Sequence, residues 1–359
     1  MMKRPSVSEV PRLDKEDLQS FGIIIVTFGN EDNIKNLIKS IISEKKYGDK
    51  LVIIDNHPNH GCAKIADKIQ GVDIVIRSMN IGFAAGCNVA ANKVIDNVDS
   101  ILLINPDIVP RTGAISRLRK FSGRKYDAWM GTVLLPNGKI NSAGNTVHVS
   151  GLSWCGEFNK SVRTIAKRRT IDFASGACLV VSSEAWVKLS GLAEEYFMYY
   201  DDTDFSMRMH HFGLRIGIVT DAYFKHDYAY NKGAHKWFYI ERNRLIFIFE
   251  QWPAFILLIS LPMFLAVEVG LLVVSIYEGR FLLRVRSIFS FVRMVPGLVY
   301  KRFYIQRNSK LSNLMFFKYL DSNLSSPLLG RFTSSKLVNG VFGIYYRLTY
   351  VILEFIDSI

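Results

Sequence analysis

At 359 residues the chain is long enough for one large domain with an appendage, or for two modest domains. An apolar share of 49%, an aromatic share of 13% and a slightly positive mean hydropathy exclude a disordered chain and exceed what a purely soluble enzyme requires. The formal net charge of +13 suits an anionic partner such as nucleic acid, lipid headgroups or a nucleotide sugar.

The cysteines Cys62, Cys87, Cys155 and Cys178 are widely spaced and include no CxxC pair. They match neither a zinc ligand set nor a dense disulfide framework, so a reducing, cytosolic setting is expected. Residues 1–20 carry Pro5 and Pro11 without an apolar period and read as a tail. The first apolar run, Phe21–Val26, is too short for the h-region of a secretory signal.

From Phe21 the pattern changes. The run FGIIIVT (Phe21–Thr27) is continuously apolar, as in a strand buried on both faces. Asn30 is placed to cap the following helix, whose Ile34, Leu37, Ile38, Ile41 and Ile42 recur at three- and four-residue steps. The unit repeats: Leu51–Asp55, Ile74–Ile76 and Ile101–Ile104 read as strands. Helical stretches are predicted around Ile65–Ile69, Asn88–Ile95 and Ile115–Phe121. Strand alternating with helix predicts an α/β fold whose mostly parallel sheet is covered on both faces. Ligands in such sheets lie beyond the carboxyl ends of the strands, which singles out Thr27–Asn30, Asp55-Asn56, Asn80 onward and Asn105-Pro106-Asp107.

After Asp127 the chain is more irregular up to about Asn243. Beyond Trp252-Pro253, Ala254–Tyr277 is nearly all apolar, interrupted by Pro262 and Glu268. Basic residues from Arg280 to Lys310 follow with no acidic residue among them. The apolar stretch is long enough to cross a bilayer, yet Glu268 is costly at the midplane. An interfacial helix pair with basic side chains on anionic headgroups is the other membrane reading, and a buried core helix the bland one. The division expected is a tail at 1–20, a catalytic domain at 21–250 and a membrane-associated helical region at 251–359.

Asp107 follows a buried strand, where a carboxylate can hold a divalent cation against a diphosphate; Asn, Pro and Asp together also favour a plain turn. Gly82 and Gly86 lie between a strand and a helix, in a tract that either admits a phosphate or simply turns the chain. Asp201, Asp202 and Asp204 open a helix running to Gly213. Asp204 pairs by spacing with Arg208, whereas Asp202 is the candidate general base. His226 would suit Mn²⁺ beside Asp107, although a lone histidine is more often structural.

Taken together, IIIVTFGN, IIDN, NIGFAAGCN, LLINPD, DFASGACLVV and GLAEEYFMYYDDTDFSMRMHHFG, in this order over about Phe21–Arg244, resemble the family 2 glycosyltransferases. The likeness is greatest to the rhamnosyltransferase-like branch, and it implies a GT-A fold with an inverting, single-displacement reaction. On that resemblance Asp55 contacts the nucleotide base, with Thr27 and Asn30 in the same pocket. Asn80, Gly82, Phe83 and Asn88 lie against the ribose and diphosphate. Asp107 ligates Mn²⁺ or Mg²⁺, with His226 as a second ligand and Asn105 standing where many relatives have Asp. Asp202 takes the base position. Asp201, in place of a common Glu, and Gly176 help to place the acceptor or donor sugar.

The implied function is transfer of a sugar, rhamnose from dTDP-rhamnose being favoured, to a glycan or lipid-linked acceptor at the cytoplasmic face of the cell membrane. Other readings are a UDP-sugar transferase of the same fold, a sugar-nucleotide nucleotidyltransferase, or a basic lipid- or nucleic-acid-binding protein. The nucleotidyltransferase reading lacks a basic residue at Thr27–Asn30, and no stacking-plus-basic module supports nucleic acid.

Overall fold

The structure, a computed structural model, describes residues 19–121, 125–226, 235–324 and 336–358. All but the last two residues of the expected tail lie outside them.

The chain opens with β1 (Phe21–Thr27), α1 (Glu31–Ile42), β2 (Lys50–Asp55), α2 (Gly61–Ala66), β3 (Ile74–Arg77), α3 (Phe83–Ala91) and β4 (Ser100–Ile104). β1 is buried at every position because it lies between β2 and β4, parallel to both. α1 turns Ile34, Leu37, Ile38 and Ile41 inward as the periodicity requires. Asn30 precedes this helix but does not cap it with its side chain; its Oδ1 accepts from Phe28 N at 3.0 Å and fixes the turn after β1 instead.

β5 (Ile108–Pro110), α4 (Ala114–Phe121), β6 (Ala128–Leu134), β7 (Ile140–Ser142), β8 (Asn145–Val147), β9 (Ser153–Cys155), β10 (Cys178–Ser182), α5 (Ser183–Lys188), α6 (Asp201–His211) and β11 (Ile216–His226) follow. Among the described residues the main sheet runs β3-β2-β1-β4-β10-β6-β11-β5, with β7 on β6. Its first half is parallel, as the strand–helix alternation predicts. Antiparallel pairings enter beyond β4, where β10 inserts between β4 and β6, and β5 edges β11. β11 reaches His226 across an irregularity between Val219 and Tyr223. Such a bulge re-aims the strand end.

The C-terminal part is helical: α7 (His235–Gln251), α8 (Ala254–Tyr277), α9 (Phe281–Asn308), α10 (Asn313–Lys318) and α11 (Lys336–Asp357). These helices share one hydrophobic core with the preceding region, in which Tyr196, Tyr200 and Met207 meet Phe247, Trp252, Phe316 and Leu353. Composition changes at residue 250, but the packing is continuous across it. Glu268, the acidic residue inside apolar α8, is paired with Arg244 of α7 and Arg284 of α9, and Arg284 also holds Glu241. Opposite charges in contact remove most of the cost of burying each alone.

Candidate functional site

The site gathers where β4 ends and β10 begins. Antiparallel pairing sets Cys178 against Ile104, and Asn105 N donates to Ala177 O at 2.9 Å. Residues 105–107 and 175–177 are thereby adjacent. On the other side, β11 pairs His226 with Ile108 of β5. That register carries the imidazole to Asp107, with Nε2 3.2 Å from Oδ2. The ring's Nδ1 lies 3.3 Å from Asn141 Oδ1 on β7. A proton on Nδ1, donated to that amide oxygen, turns the Nε2 lone pair toward the Asp107 carboxylate. Two acceptors at this separation call for a proton or a cation between them. A carboxylate and an imidazole are also a fitting pair of donors for Mn²⁺. Among the described residues no third His, Cys, Asp or Glu joins them, so remaining ligands must come from elsewhere.

Asp202 reaches the same junction from the start of α6. Its Oδ2 accepts from Gly176 N at 2.9 Å and from Asn145 Nδ2 at 3.2 Å, and its Oδ1 accepts from Thr203 N at 2.7 Å. The acidic cluster divides by burial. Asp204 is fully buried and bound to Arg208 Nε at 2.7 Å, the spacing pair expected. Asp201 is 4% exposed, so the expected contact with acceptor or sugar is closed to its side chain in this structure. Asp202 is the partly exposed member. Burial raises its carboxyl above the ordinary carboxylate range, against hydrogen bonds from Gly176, Thr203 and Asn145 that lower it. Burial, then the neighbouring Asp202 charge, raises Asp201 further.

The segment before α6 is unusual. Phe197, Tyr199 and Tyr200 have φ of 63°, 65° and 66°, a region that side chains other than glycine rarely adopt. α7 supplies the constraint: Asn243 Nδ2 donates to the carbonyls of Tyr196, Met198 and Tyr199 at 2.8–2.9 Å. Arg242 donates to Glu195 O and Tyr196 O. Arg242 and Asn243 thus grip the backbone that delivers Asp202. Local pattern does not reveal this, because the polar groups they satisfy are carbonyls elsewhere in the chain.

The residues expected on the donor side have mixed placements. Thr27 is fully buried, its hydroxyl donating to Ile54 O at 3.3 Å. Asp55 is also fully buried, accepting from His57 N at 3.0 Å and Ala63 N at 2.9 Å; it braces the start of α2. Asn80 is exposed and accepts from Gly82 N at 3.2 Å. Gly82 has φ +88°, and a Cβ there would lie 2.6 Å from Phe197, which accounts for the glycine without a ligand. Phe83 N donates to Phe197 O. Asn88 spends its amide on Leu192 and Glu194, tying α3 to the 192–194 loop. Sequence reasoning marked the Thr27–Asn30 turn without giving Phe28 a role, and passed over His57. Phe28 is 52% exposed and its ring lies edge-on to His57 at 5.0 Å, beside the carboxyl ends of β1 and β2. An exposed aromatic in that position is the signal that could have found them.

Residues 22–188 match the glycosyl transferase family 2 profile. The chain carries a family 2 glycosyltransferase domain. The rhamnosyltransferase WbbL of Escherichia coli K12 is 24% identical over 58% of this chain and 83% of its own length. The low-salt glycan biosynthesis hexosyltransferase Agl10 of Haloferax volcanii is 25% identical over 57% of this chain and 67% of its own. Among solved structures, GalNAc-T7 with UDP, GalNAc and Mn²⁺ superposes with a TM-score of 0.55 at 13% identity. That superposition covers 67% of this chain and 49% of GalNAc-T7, so this chain spans about half of that protein. The shared architecture is the GT-A fold. α6, β11 and α7, which carry Asp202, His226 and the Arg242–Asn243 clamp, lie beyond the residues that this profile matches.

Proposed function

We propose that the protein transfers a sugar, with inversion, from a nucleoside-diphosphate donor to a hydroxyl of a glycan or lipid-linked acceptor in surface polysaccharide synthesis. The observation that carries this reading is the single backbone junction that Asp202 and the Asp107–His226 pair both border, through Gly176–Ala177 and Asn105. The Asp202 carboxylate removes the acceptor proton as the acceptor oxygen bonds to the anomeric carbon. The bond from that carbon to the diphosphate oxygen breaks, and the nucleoside diphosphate leaves with the electron pair. A carboxyl raised by burial is the stronger base once ionised, which suits it to an alcohol.

Asp107 and His226 would hold a divalent cation, Mn²⁺ or Mg²⁺, and that ion would neutralise charge on the departing diphosphate. Asn141 orients the imidazole for this role. Phe28 and His57 offer an aromatic surface to the nucleotide base, with Asp55 and Thr27 as the rigid floor beneath and Asn30 holding the turn. Asn80, Gly82, Phe83, Asn88 and Asn105 shape the backbone on the diphosphate side. Asp201 acts from its buried position by holding α6 rather than by touching sugar.

Rhamnose carried by dTDP is the favoured donor, supported by the likeness to a rhamnosyltransferase; UDP-sugars come next. Acting on a lipid-linked acceptor, the protein would do its chemistry at the cytoplasmic face of the cell membrane. A panel of nucleotide sugars incubated with purified protein, with and without Mn²⁺, tests the reading. Consumption of dTDP-rhamnose or a UDP-sugar supports it. If no donor is consumed, and neither dTDP nor UDP raises the melting temperature, the reading fails.

A further inference from the structure

The C-terminal helices are apolar on both sides: α8 buries Ile256, Met263, Val267 and Leu271 against the protein and turns a second apolar face outward. Along α8 the side chains turned to the protein include Ser260, Ser275 and the ion-paired Glu268, while Leu258, Leu261, Leu265, Val269 and Ile276 face outward. α11 is arranged likewise: Phe342, Thr349 and Leu353 are buried and the Tyr345 hydroxyl donates to Ile259 O of α8, whereas Ile344, Leu348, Val351 and Phe355 are exposed. On α9 the exposed Val285, Phe289, Val292 and Phe303 share one stripe by helical spacing. Arg286 and Arg293, both exposed, lie two turns apart along its flank. α9 carries no acidic residue. Water disfavours such a surface, and isolated exposed apolar side chains do not amount to one of this extent.

We propose that the outward faces of α8, α9 and α11 form a lipid-binding surface, seated in one leaflet of an anionic bilayer without crossing it. The charge pattern selects the occupant. Arginines beside an apolar stripe extend their stems along it and set their guanidinium groups at phosphate headgroups, an arrangement suited to an interfacial helix.

α8 is apolar and long enough to span, at 24 residues, but its inner face is committed to the protein. Glu268 is paired with Arg244 and Arg284, and Arg244 also donates to Ser150 O at 3.1 Å. Ile256 and Met263 belong to the core that contains Tyr200 and Met207 of the catalytic region. A spanning α8 would have to break this packing; a seated one keeps it. The outward face therefore dips into lipid while Asp202 stays on the same side of the bilayer as the headgroups.

The test uses the full chain and is independent of sugar transfer. Protein is sedimented with vesicles of phosphatidylglycerol and phosphatidylcholine, or of phosphatidylcholine alone. Binding to the anionic vesicles, weakened roughly tenfold by Arg286→Glu with Arg293→Glu and by Leu265→Glu with Val269→Glu, is the expected result. These positions are exposed, and unchanged melting curves verify that the variants fold. Topology is read in an otherwise wild-type chain by Ala254→Cys and Tyr277→Cys, each treated with a membrane-impermeant maleimide on sealed vesicles. Labelling of both ends, above the wild-type background, supports the seated arrangement. Protection of either end until detergent is added shows a span and overturns it. Absence of vesicle binding, with a stable dimer in light scattering, also overturns it by assigning the apolar face to a second copy of the chain.

Discussion

Gly176 donates its backbone N–H to the Asp202 carboxylate at 2.9 Å, and a Cβ added at position 176 would stand 3.3 Å from that of Asp202. A Cβ would thus be a tight fit at the place where hydrogen bonding also aims the base. A side chain at 176 would push the carboxylate aside by a few tenths of an ångström, enough to disturb an in-line attack. Gly176→Ala is expected to lower kcat roughly tenfold with donor KM little changed. Initial-rate kinetics over both substrates check this, and an equal rise in donor KM would count against an effect on the base.

Asp202→Asn keeps the shape and removes the proton acceptor. Turnover should fall by at least about 100-fold, the scale of a lost general base, while nucleotide binding by calorimetry survives. In the wild type, burial holds the Asp202 carboxyl above the ordinary carboxylate range, and only its ionised form accepts a proton. Activity should thus rise with pH through a limb displaced upward from that range. A pH-independent rate down to the ordinary range would remove the assignment.

Asp107→Ala should abolish the Mn²⁺-dependent part of nucleotide binding. The readout is thermal shift by dTDP or UDP, with and without Mn²⁺. Asn141→Ala leaves both ligand atoms in place but frees the imidazole, and should weaken the Mn²⁺ effect by about tenfold or more. A nucleotide shift indifferent to Mn²⁺ and to excess chelator in the wild type would eliminate the metal.

The clamp on residues 196–199 should matter for both stability and rate. Asn243→Ala removes the side-chain donor to the Met198 and Tyr199 carbonyls, while Tyr196 O keeps Arg242, and should cost about 1–3 kcal/mol. Asn243→Asp sets a carboxylate against those carbonyls and should be worse. Urea unfolding reports the first effect, and kcat the displacement of Asp202 that accompanies it. A variant that melts normally and turns over normally would show the grip to be unimportant.

Acid should destabilise the fold through three buried histidines. Burial lowers His148, His210 and His211 to about 4 from the ordinary imidazole value of 6.5. Between those values the unfolded chain binds more protons than the folded one. Stability is therefore fully present above pH 6.5 and is lost as pH falls toward 4, by at most on the order of 3 kcal/mol for each residue. Urea midpoints across this window should fall with pH, less steeply in His148→Gln.

The parallel half of the sheet was legible because each strand there is a continuous apolar run buried by its neighbours, as in Phe21–Thr27. Local composition likewise fixed the apolar length of α8 and the position of the acidic cluster at the head of α6. Those properties follow from burial and periodicity, which are written into adjacent residues. The Asp204–Arg208 pair was legible from its four-residue spacing, but the contact of Asp202 with Gly176 and the covering of Asp201 were not. His226 was named beside Asp107 from the sequence, but the register of β11 on β5 that brings them together was hidden, as were the arginines from two other helices that neutralise Glu268. Charge and hydrogen bonding act over a few ångströms in space, between partners far apart in the chain, and only the folded structure sets those distances.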